Sequence, residues 1–392
     1  MNDSNYDIAI IGGGPVGTAL ALALRNSKLR ICLLEVRPAG ASTDTRALAV
    51  SYGSRLLLER LGVWNKMQEV SSISTIHISQ KQSFGRAILR STELAVPDLG
   101  YVLPYSTLQD SLTDAVHVFT RLHDDRIRTI HNASVTELAP EADHTRISYQ
   151  LIGEQHTLLA RLAVVADGGR LLNAQFPPAI HDYGQSALIT HITCSLPKVS
   201  TAFERFTPQG PVALLPYKEG YEIVWTAPHK HIDDMLTWDD AHFLSELQQH
   251  FGDRVGKFLT AGKRSSFPLG LKRAPDQSPM PHTVLLGNAA QTMHPVAGQG
   301  FNLGLRDAWE LAQTILDAAP ESLGSAAMLL DYKGRRRLDR EAGIRFTDTL
   351  VRLFSNDLAV LDTARGISLT ALDCLPFAKK FVAKRMMFGA NG

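Results

Sequence analysis

Tyr6-Asp7-Ile8-Ala9-Ile10-Ile11-Gly12-Gly13-Gly14-Pro15-Val16-Gly17 reads as a buried strand running into a tight glycine turn and a helix. An apolar helix pattern continues through Ala19 to Leu24, and Arg30-Ile31-Cys32-Leu33-Leu34-Glu35 is a second strand ending in an acid. The run from Ile8 to Ile11 is what a parallel strand covered on both faces requires, and Ala19 to Leu24 is rich in strong helix formers. The glycines serve different ends. Gly12 turns the chain sharply out of the strand, Gly14 lets backbone approach a pyrophosphate, and Gly17 lets the helix lie close to the sheet. The helix N-terminus then offers free N–H groups and a partial positive charge to phosphates. Glu35, about 20 residues further on, suits a ribose hydroxyl pair and disfavours a 2′-phosphate. The pattern is a dinucleotide site and leaves the choice between NAD and FAD open.

Working outward, 392 residues are enough for two packed units, and 44% hydrophobic with 20% charged residues is an ordinary globular composition. Forty Lys and Arg against 39 Asp and Glu leave a net charge of +1, so nothing points to nucleic acid as a partner. Cys32, Cys194 and Cys374 are scattered without metal spacing, which predicts reduced, buried thiols and a cytoplasmic setting. No Ser–His–Asp order and no cluster of metal-binding spacing is visible, so no metal is expected. The N-terminus lacks a signal-peptide pattern, and no run approaches the roughly 18 apolar residues of a membrane span.

Strand-to-turn signals recur in two later blocks, Arg161–Gly168 ending in Asp167-Gly168 and Thr283–Ala290, the latter followed by a helix from about Gln299 to Leu316. Between them the chain reads as β-rich: Ser72 to Ser79 alternates, and Gly210 to Trp225 places two apolar runs around Lys218-Glu219-Gly220, a hairpin pattern. This order predicts an α/β protein, a Rossmann-like nucleotide domain interrupted by a β-sheet domain. Residues 1–70, 98–180 and 265–350 fall to the first, 71–97 and 181–264 to the second, and 351–392 to a helical C-terminal region. The crevice between the two domains is the expected substrate pocket.

Three motifs stand in order: the turn at Gly12, Asp167-Gly168, and Gly287-Asn-Ala-Ala-Gln-Thr-Met-His-Pro-Val-Ala-Gly-Gln-Gly-Phe-Asn302. Together they resemble the class A flavoprotein aromatic monooxygenases of the para-hydroxybenzoate hydroxylase type, over nearly the whole chain. Asp44–Ser51, Ala202-Phe-Glu-Arg-Phe-Thr207 with Gly210–Pro216, and Ala261–Leu269 resemble the ubiquinone-biosynthesis hydroxylases within that group, in their prenyl-methoxyphenol subfamily. The chain departs from the general pattern at Asn288 and Gln291, where Asp and His are usual, and at Leu171, where Ser is usual.

The resemblance implies FAD as cofactor, NAD(P)H as electron donor, and a prenylated phenol and O₂ as substrates. The hydroxylation it implies proceeds through a C4a-hydroperoxyflavin, the flavin carrying the hard chemistry. It assigns Glu35 to the adenosine ribose, Arg46 to the pyrophosphate or flavin, Gln109 to a flavin contact, Val135 to the adenine, Asp167 and Gly287 to cofactor binding, and Asn288 to a ribityl or phosphate oxygen. The residues alone also allow Arg46 as a surface partner of Asp44, Gln109 as a solvated helix residue, Val135 as plain strand core and Asp167 as a strand-ending turn. By the same resemblance the loop of Gly298, Gln299, Gly300 and Asn302 meets the flavin edge where negative charge gathers, and backbone N–H groups suit that role. His294 and Pro295 flank it; for His294 a structural role competes with that of a base.

Phe206, Leu214, Pro216 and Trp225 are candidates for an apolar, water-excluding pocket, or alternatively sheet core. Phe377, Phe381 and Phe388 share a helical stripe flanked by Lys380, Lys384 and Arg385. Such a helix suits an anionic membrane surface, a partner from the same pathway, or packing on its own domain. A peripheral position at the inner membrane accompanies the first of these. Alternatives to the leading function are another ring position, another aromatic substrate, or a catalytically silent flavin-binding subunit.

Overall fold

The computed structural model describes residues 5–40, 42, 44, 46–81, 85–122, 126–294, 298–354 and 359–391. The opening motif forms β1 (Asn5–Ile11), α1 (Pro15–Ala23) and β2 (Ile31–Glu35). There follow β3 (Ala47–Ser51), α2 (Tyr52–Arg60), β4 (Ser71–Ile73), β5 (Thr75–Gln80), β6 (Arg86–Arg90), β7 (Gly100–Pro104) and α3 (Tyr105–Leu122). The first unit resumes with β8 (Ile127–His131), β9 (Ala133–Pro140), β10 (Thr145–Leu151) and β11 (Glu154–Val165). The second continues with β12 (Ala179–Cys194), β13 (Thr201–Phe206), β14 (Val212–Tyr217), β15 (Gly220–Pro228), α4 (His229–Thr237), α5 (Asp240–Phe251), β16 (Phe258–Ala261) and β17 (Ser265–Arg273). β18 (Thr283–Leu285), β19 (Gln291–Thr292), α6 (Gln299–Asp317), α7 (Ala326–Phe354), α8 (Ala359–Cys374) and α9 (Pro376–Phe388) complete the chain.

Among the described residues the first sheet runs β8-β2-β1-β11-β10-β9, with β18 beside β11. β1 is parallel to both β2 and β11, so its carboxyl end opens at the point where strand order reverses. Alternate residues feed two cores: Ile8 and Ile10 pack beneath α1, α3 and α6, while Ala9 and Ile11 pack on the other face with Ala163, Val165 and Tyr149. The uninterrupted apolar strand of the sequence is therefore covered on both sides.

The second sheet runs β19-β17-β12-β15-β14-β13-β5-β6, with β16 beside β12. β14 and β15 form the hairpin expected around Lys218-Glu219, with Tyr217 opposite Gly220 and Lys218 at φ +51°. One face packs Phe203, Leu214, Tyr221, Ile223 and Trp225 against Ile232 and Met235 of α4 and Phe243, Leu247 and Phe251 of α5. The boundary expected at residue 265 moves: β17 pairs along β12, so this sheet extends through Arg273. The segment Ser72–Ser79 is also divided, because β4 pairs with β7 in a small third sheet while β5 pairs with β6 and β13.

A buried ionic network joins α6 to α7. Arg336 Nε donates to Asp307 at 2.8 Å, its Nη2 lies 2.8 Å from Asp339, and Arg306 pairs with Asp339 at 2.8 Å. Gln291 belongs to it, donating to Asp307 at 2.7 Å and accepting from Arg340 Nε at 2.8 Å. Asp339 also accepts the Ala390 N–H, which ties down the C-terminus. Cys32 and Cys194 are buried as expected, but Cys374 is exposed. No helix of the described residues is long and apolar enough to cross a membrane.

Candidate flavin and substrate site

A cavity of about 1600 Å³ runs from the glycine turn, between the two large sheets, to the inner sides of α8 and α9. Its first end is built by the β1–α1 turn. Gly12 has φ +108°, and a Cβ there would lie 2.5 Å from the Ala166 carbonyl oxygen. A Cβ on Gly17 would fall on the carbonyl oxygen of Gly12, so the helix sits as close to the turn as backbone allows. At Gly14, the residue before α1, a Cβ would meet only the Tyr105 hydroxyl at 3.8 Å, and the space in front is the cavity.

Glu35 closes β2 on the cavity wall and is buried. It accepts the Gly13 N–H at 2.6 Å and the Arg37 Nε at 2.8 Å. Burial alone would raise its pKa, but Arg37 and the two backbone N–H donors outweigh it and hold the carboxyl below the usual range. Arg37 itself lines the cavity and was not singled out from the sequence; its only signal there is its position two residues after the strand-ending acid. Arg46 also lines the cavity and is paired with Asp44 at 2.6 Å. Val135 lines the wall beside Ser134, next to a register shift opposite Tyr149. Gln109 lies behind the turn: its amide donates to the Gly13 carbonyl at 2.8 Å and to Thr113 at 2.9 Å.

In the middle of the cavity, Asp167 accepts the N–H groups of Gly169 and Leu171, each at 2.7 Å, and so shapes its own loop. Asp167, Gly287 and Asn288 all face the cavity. Both Gly298 and Gly300 line the cavity: Gly298 adopts φ +61°, and a Cβ there would press on Ala49 at 2.8 Å, whereas a Cβ on Gly300 would meet nothing within 4 Å. The alternating side chains turn inward. Gln299 donates to the Met386 carbonyl of α9 at 3.1 Å, and Asn302 donates to Ala49 at 3.0 Å while accepting the Ser51 N–H at 2.9 Å. These two residues hold the loop in place and leave its backbone to meet a ligand. The open backbone at Gly14 and Gly300, the free end of α1 and the donors around Glu35 fit an FAD molecule laid along the cavity.

His294 is buried, with its ring edge-on to Tyr183 at 5.4 Å between centroids, and is absent from the described cavity wall. Burial holds its pKa down to about 4, so it is neutral at pH 7, as a structural histidine would be. Pro295 lies outside the described residues.

The pocket residues of the second sheet require a correction. Phe206 lines the cavity, but Leu214 and Trp225 point to the opposite face and pack in the core under α4 and α5, and Pro216 is likewise off the cavity wall. The residues that do face the cavity are their neighbours Ala213, Leu215, Val224 and Thr226. The period of a strand is 2, so residues of one strand divide between its faces, and the alternative reading as sheet core holds for Leu214 and Trp225. A second correction concerns Ser186, His229 and Asp182, which no sequence order reveals. Ser186 lies 2.8 Å from His229 Nδ1, and Asp182 lies 3.4 Å from Nε2 on an exposed edge. The expected aromatic stripe of α9 also divides: Phe388 packs edge-on to Tyr52 at 6.1 Å, whereas Phe377 and Phe381 are exposed.

With the cavity between its two large sheets and the family relationships that follow, the chain is an FAD-dependent monooxygenase of the aromatic hydroxylase class, for which NAD(P)H is the typical electron donor. The FAD binding domain family matches residues 5–347, and the chain belongs to that family. It is 31% identical over 397 residues to the ubiquinone hydroxylase UbiL of Rhodospirillum rubrum, covering 98% of this chain and 90% of the relative. It is 30% identical over 389 residues to the 3-demethoxyubiquinol 3-hydroxylase of Escherichia coli, covering 95% and 96%. Its fold is similar to that of p-nitrophenol 4-monooxygenase PnpA from Pseudomonas putida, with a TM-score of 0.79, 16% identity and 99% of each chain covered.

Proposed function

We propose that this enzyme hydroxylates the ring of a polyprenylated methoxyphenol in ubiquinone synthesis, working at a membrane surface. The observation that carries this reading is the far end of the cavity. There Leu369 and Leu372 of α8 and Val382 and Met386 of α9 line the inside, while Phe377, 73% exposed, and Phe381, 59% exposed, stand on the outside beside Lys380 and Lys384. A long apolar tail needs such a wall along its path, and aromatic and basic residues on the same helix suit an anionic lipid surface that holds the substrate.

Within this reading Glu35 and Arg37 hold the adenosine end of FAD, and Gly12, Gly14 and the free N–H groups of α1 hold the pyrophosphate. Asp167, Asn288 and the Gly298–Gly300 backbone hold the ribityl and ring portions, with Gln109 supporting the turn from behind. When bound and reduced, the flavin supplies the activation of O₂. The apolar side chains of the second sheet keep water from the ring and orient the phenol.

Two measurements test the proposal. Cells lacking the protein are expected to accumulate a prenylated phenol one hydroxyl short of the normal intermediate, read by mass spectrometry of their quinone precursors; an unchanged precursor profile refutes the substrate assignment. Phe377→Ser with Phe381→Ser is expected to abolish co-sedimentation with anionic liposomes while leaving FAD content intact. Equal partitioning of variant and parent refutes the membrane role. Point variants are preferable to deletion because Ala383 and Met387 of the same helix are buried in the body.

A further inference from the structure

Glu204 lies in the segment Ala202-Phe-Glu-Arg-Phe-Thr207, outside the three glycine motifs. On β13 its neighbours at two-residue spacing, Ala202 and Phe206, line the cavity with it, whereas Arg205 turns to the other face and donates to the His250 carbonyl at 3.0 Å. Across the ladder it stands opposite Ile78 of β5 and Ala213 of β14, both also on the cavity wall. Leu369 and Leu372 of α8 close this region.

Among the described residues no side chain or backbone group hydrogen-bonds or ion-pairs with the Glu204 carboxylate. No charged side chain faces it from β5, β14 or the described part of α8. His77 of β5 packs on Phe203, and Asp373 of α8 is bound to the Ile88 N–H and Lys379. The nearest charged residues of the second sheet on the cavity, Asp182 and Lys272, stand on β12 and β17, three and four strands away, a distance of roughly 14 Å or more. Glu204 is half-buried on this wall, and setting a lone carboxylate among apolar side chains is costly, a cost for which function is the usual reason.

We propose that Glu204 accepts the proton of the substrate's phenolic hydroxyl, so that the ring enters hydroxylation as the more electron-rich phenolate. The O–H bond of the phenol breaks as a carboxyl O–H bond forms on Glu204, and no electrons are gained or lost in the step. The proposal rests on the aromatic hydroxylase reading above. Desolvation supports it: with no partner to offset burial, the carboxyl is pushed up to about 7, closer to a phenol near about 10 than an ordinary glutamate near about 4.3. The carboxylate form is then filled as the pH rises through 7, and the reaction speeds up over that range.

The test uses full-length holoenzyme loaded with FAD, with NAD(P)H as reductant and 2-methoxy-6-prenylphenol as the substrate probe. Parent enzyme is expected to hydroxylate the phenol with a kcat that rises through pH 7. Glu204→Gln is expected to lose about 10²-fold in kcat and to lose that rise, with FAD spectrum and content unchanged; Glu204→Asp regains part of both. The O-methylated probe, which has no proton to give, is expected to be turned over equally by parent and Glu204→Gln. A Glu204→Gln enzyme with the parent's kcat and pH profile overturns the proposal, as does a loss confined to KM. Failure of the parent to hydroxylate the phenol at all, with FAD bound, overturns the hydroxylase reading itself and this inference with it.

Discussion

Arg336→Met is a severe test of how α6 and α7 are held together. The Arg336 side chain is 2% exposed and stands between Asp307, fully buried, and Asp339, 3% exposed. Methionine of similar length fills the space but leaves two carboxylates facing one another without the central cation. Among the described residues Asp307 keeps the Gln291 amide, and Asp339 keeps Arg306 and the Ala390 N–H. Removing one partner from a buried ion cluster costs about 3–5 kcal/mol, because the charge left behind remains desolvated. At about 2 °C per kcal/mol, the low end for chains of 150–250 residues, the Tm falls by about 6–10 °C.

The size of this loss depends on pH. Burial alone would raise the pKa of Asp339, but Arg306 and Arg336 outweigh it and hold the carboxyl below the usual range. Such a group stabilises the fold above its unfolded pKa of about 3.9, and that contribution is lost as pH falls through the folded value. In the variant the carboxyl rises, so the deficit against parent is largest near neutrality and shrinks as pH falls toward about 4. Thermal unfolding followed by circular dichroism at several pH values, at one fixed FAD concentration, reads this directly. A Tm loss below about 1 °C, or a loss that is the same at pH 7 and pH 4.5, refutes the reasoning, since it means the carboxylates find other partners or water.

Gly17→Ala places its Cβ on the Gly12 carbonyl, so an overpacking cost of about 1–3 kcal/mol and loss of bound flavin are expected together, measured by unfolding and by the ratio of flavin to protein absorbance. Gly14→Ala meets nothing closer than the Tyr105 hydroxyl, so it is expected to weaken FAD binding with an unchanged Tm of the apoprotein; an unchanged flavin affinity counts against pyrophosphate at this turn. Ala213→Phe, on the cavity face, is expected to raise KM for the phenol, whereas Trp225→Ala, one strand over on the core face, is expected to cost about 3–5 kcal/mol of stability and leave KM unchanged. His294, held neutral, is fully compatible with the fold above its unfolded pKa of 6.5, and stability falls as pH drops from there toward 4. His294→Leu is expected to flatten that limb by up to about 1.4 kcal/mol per pH unit, and a parent profile without the limb counts against a buried neutral ring.

The nucleotide end was legible because its chemistry is local. Gly12, Gly14, Gly17 and Glu35 are separated by one strand and one helix, and the steric demand on each follows from backbone geometry alone. The hairpin at Lys218-Glu219 was legible for the same reason: two apolar runs and a two-residue turn specify each other. Arg37 escaped notice because a lone arginine after a strand carries no pattern. Leu214 and Trp225 were misplaced because alternation tells which residues share a face, never which of the two faces looks at a pocket.

By itself, then, the amino-acid order determined the β1–α1–β2 unit and the interruption of one domain by another, since these rest on short-range sterics and periodicity, while the flavin class followed from the resemblance carried by the three ordered motifs. Only the tertiary structure decided which face of β13, β14 and β15 borders the cavity, because α4 and α5 had first to cover the other. It alone turned Gln299 and Asn302 from apparent ligands into supports of a backbone loop, through partners on α9 and β3 that lie far along the chain. It alone left Glu204 in an apolar wall without a counter-ion among the described residues, a circumstance created by Ile78, Ala213, Leu369 and Leu372 converging from three other elements around one carboxylate. Such convergence is set by packing, and no window of sequence contains it.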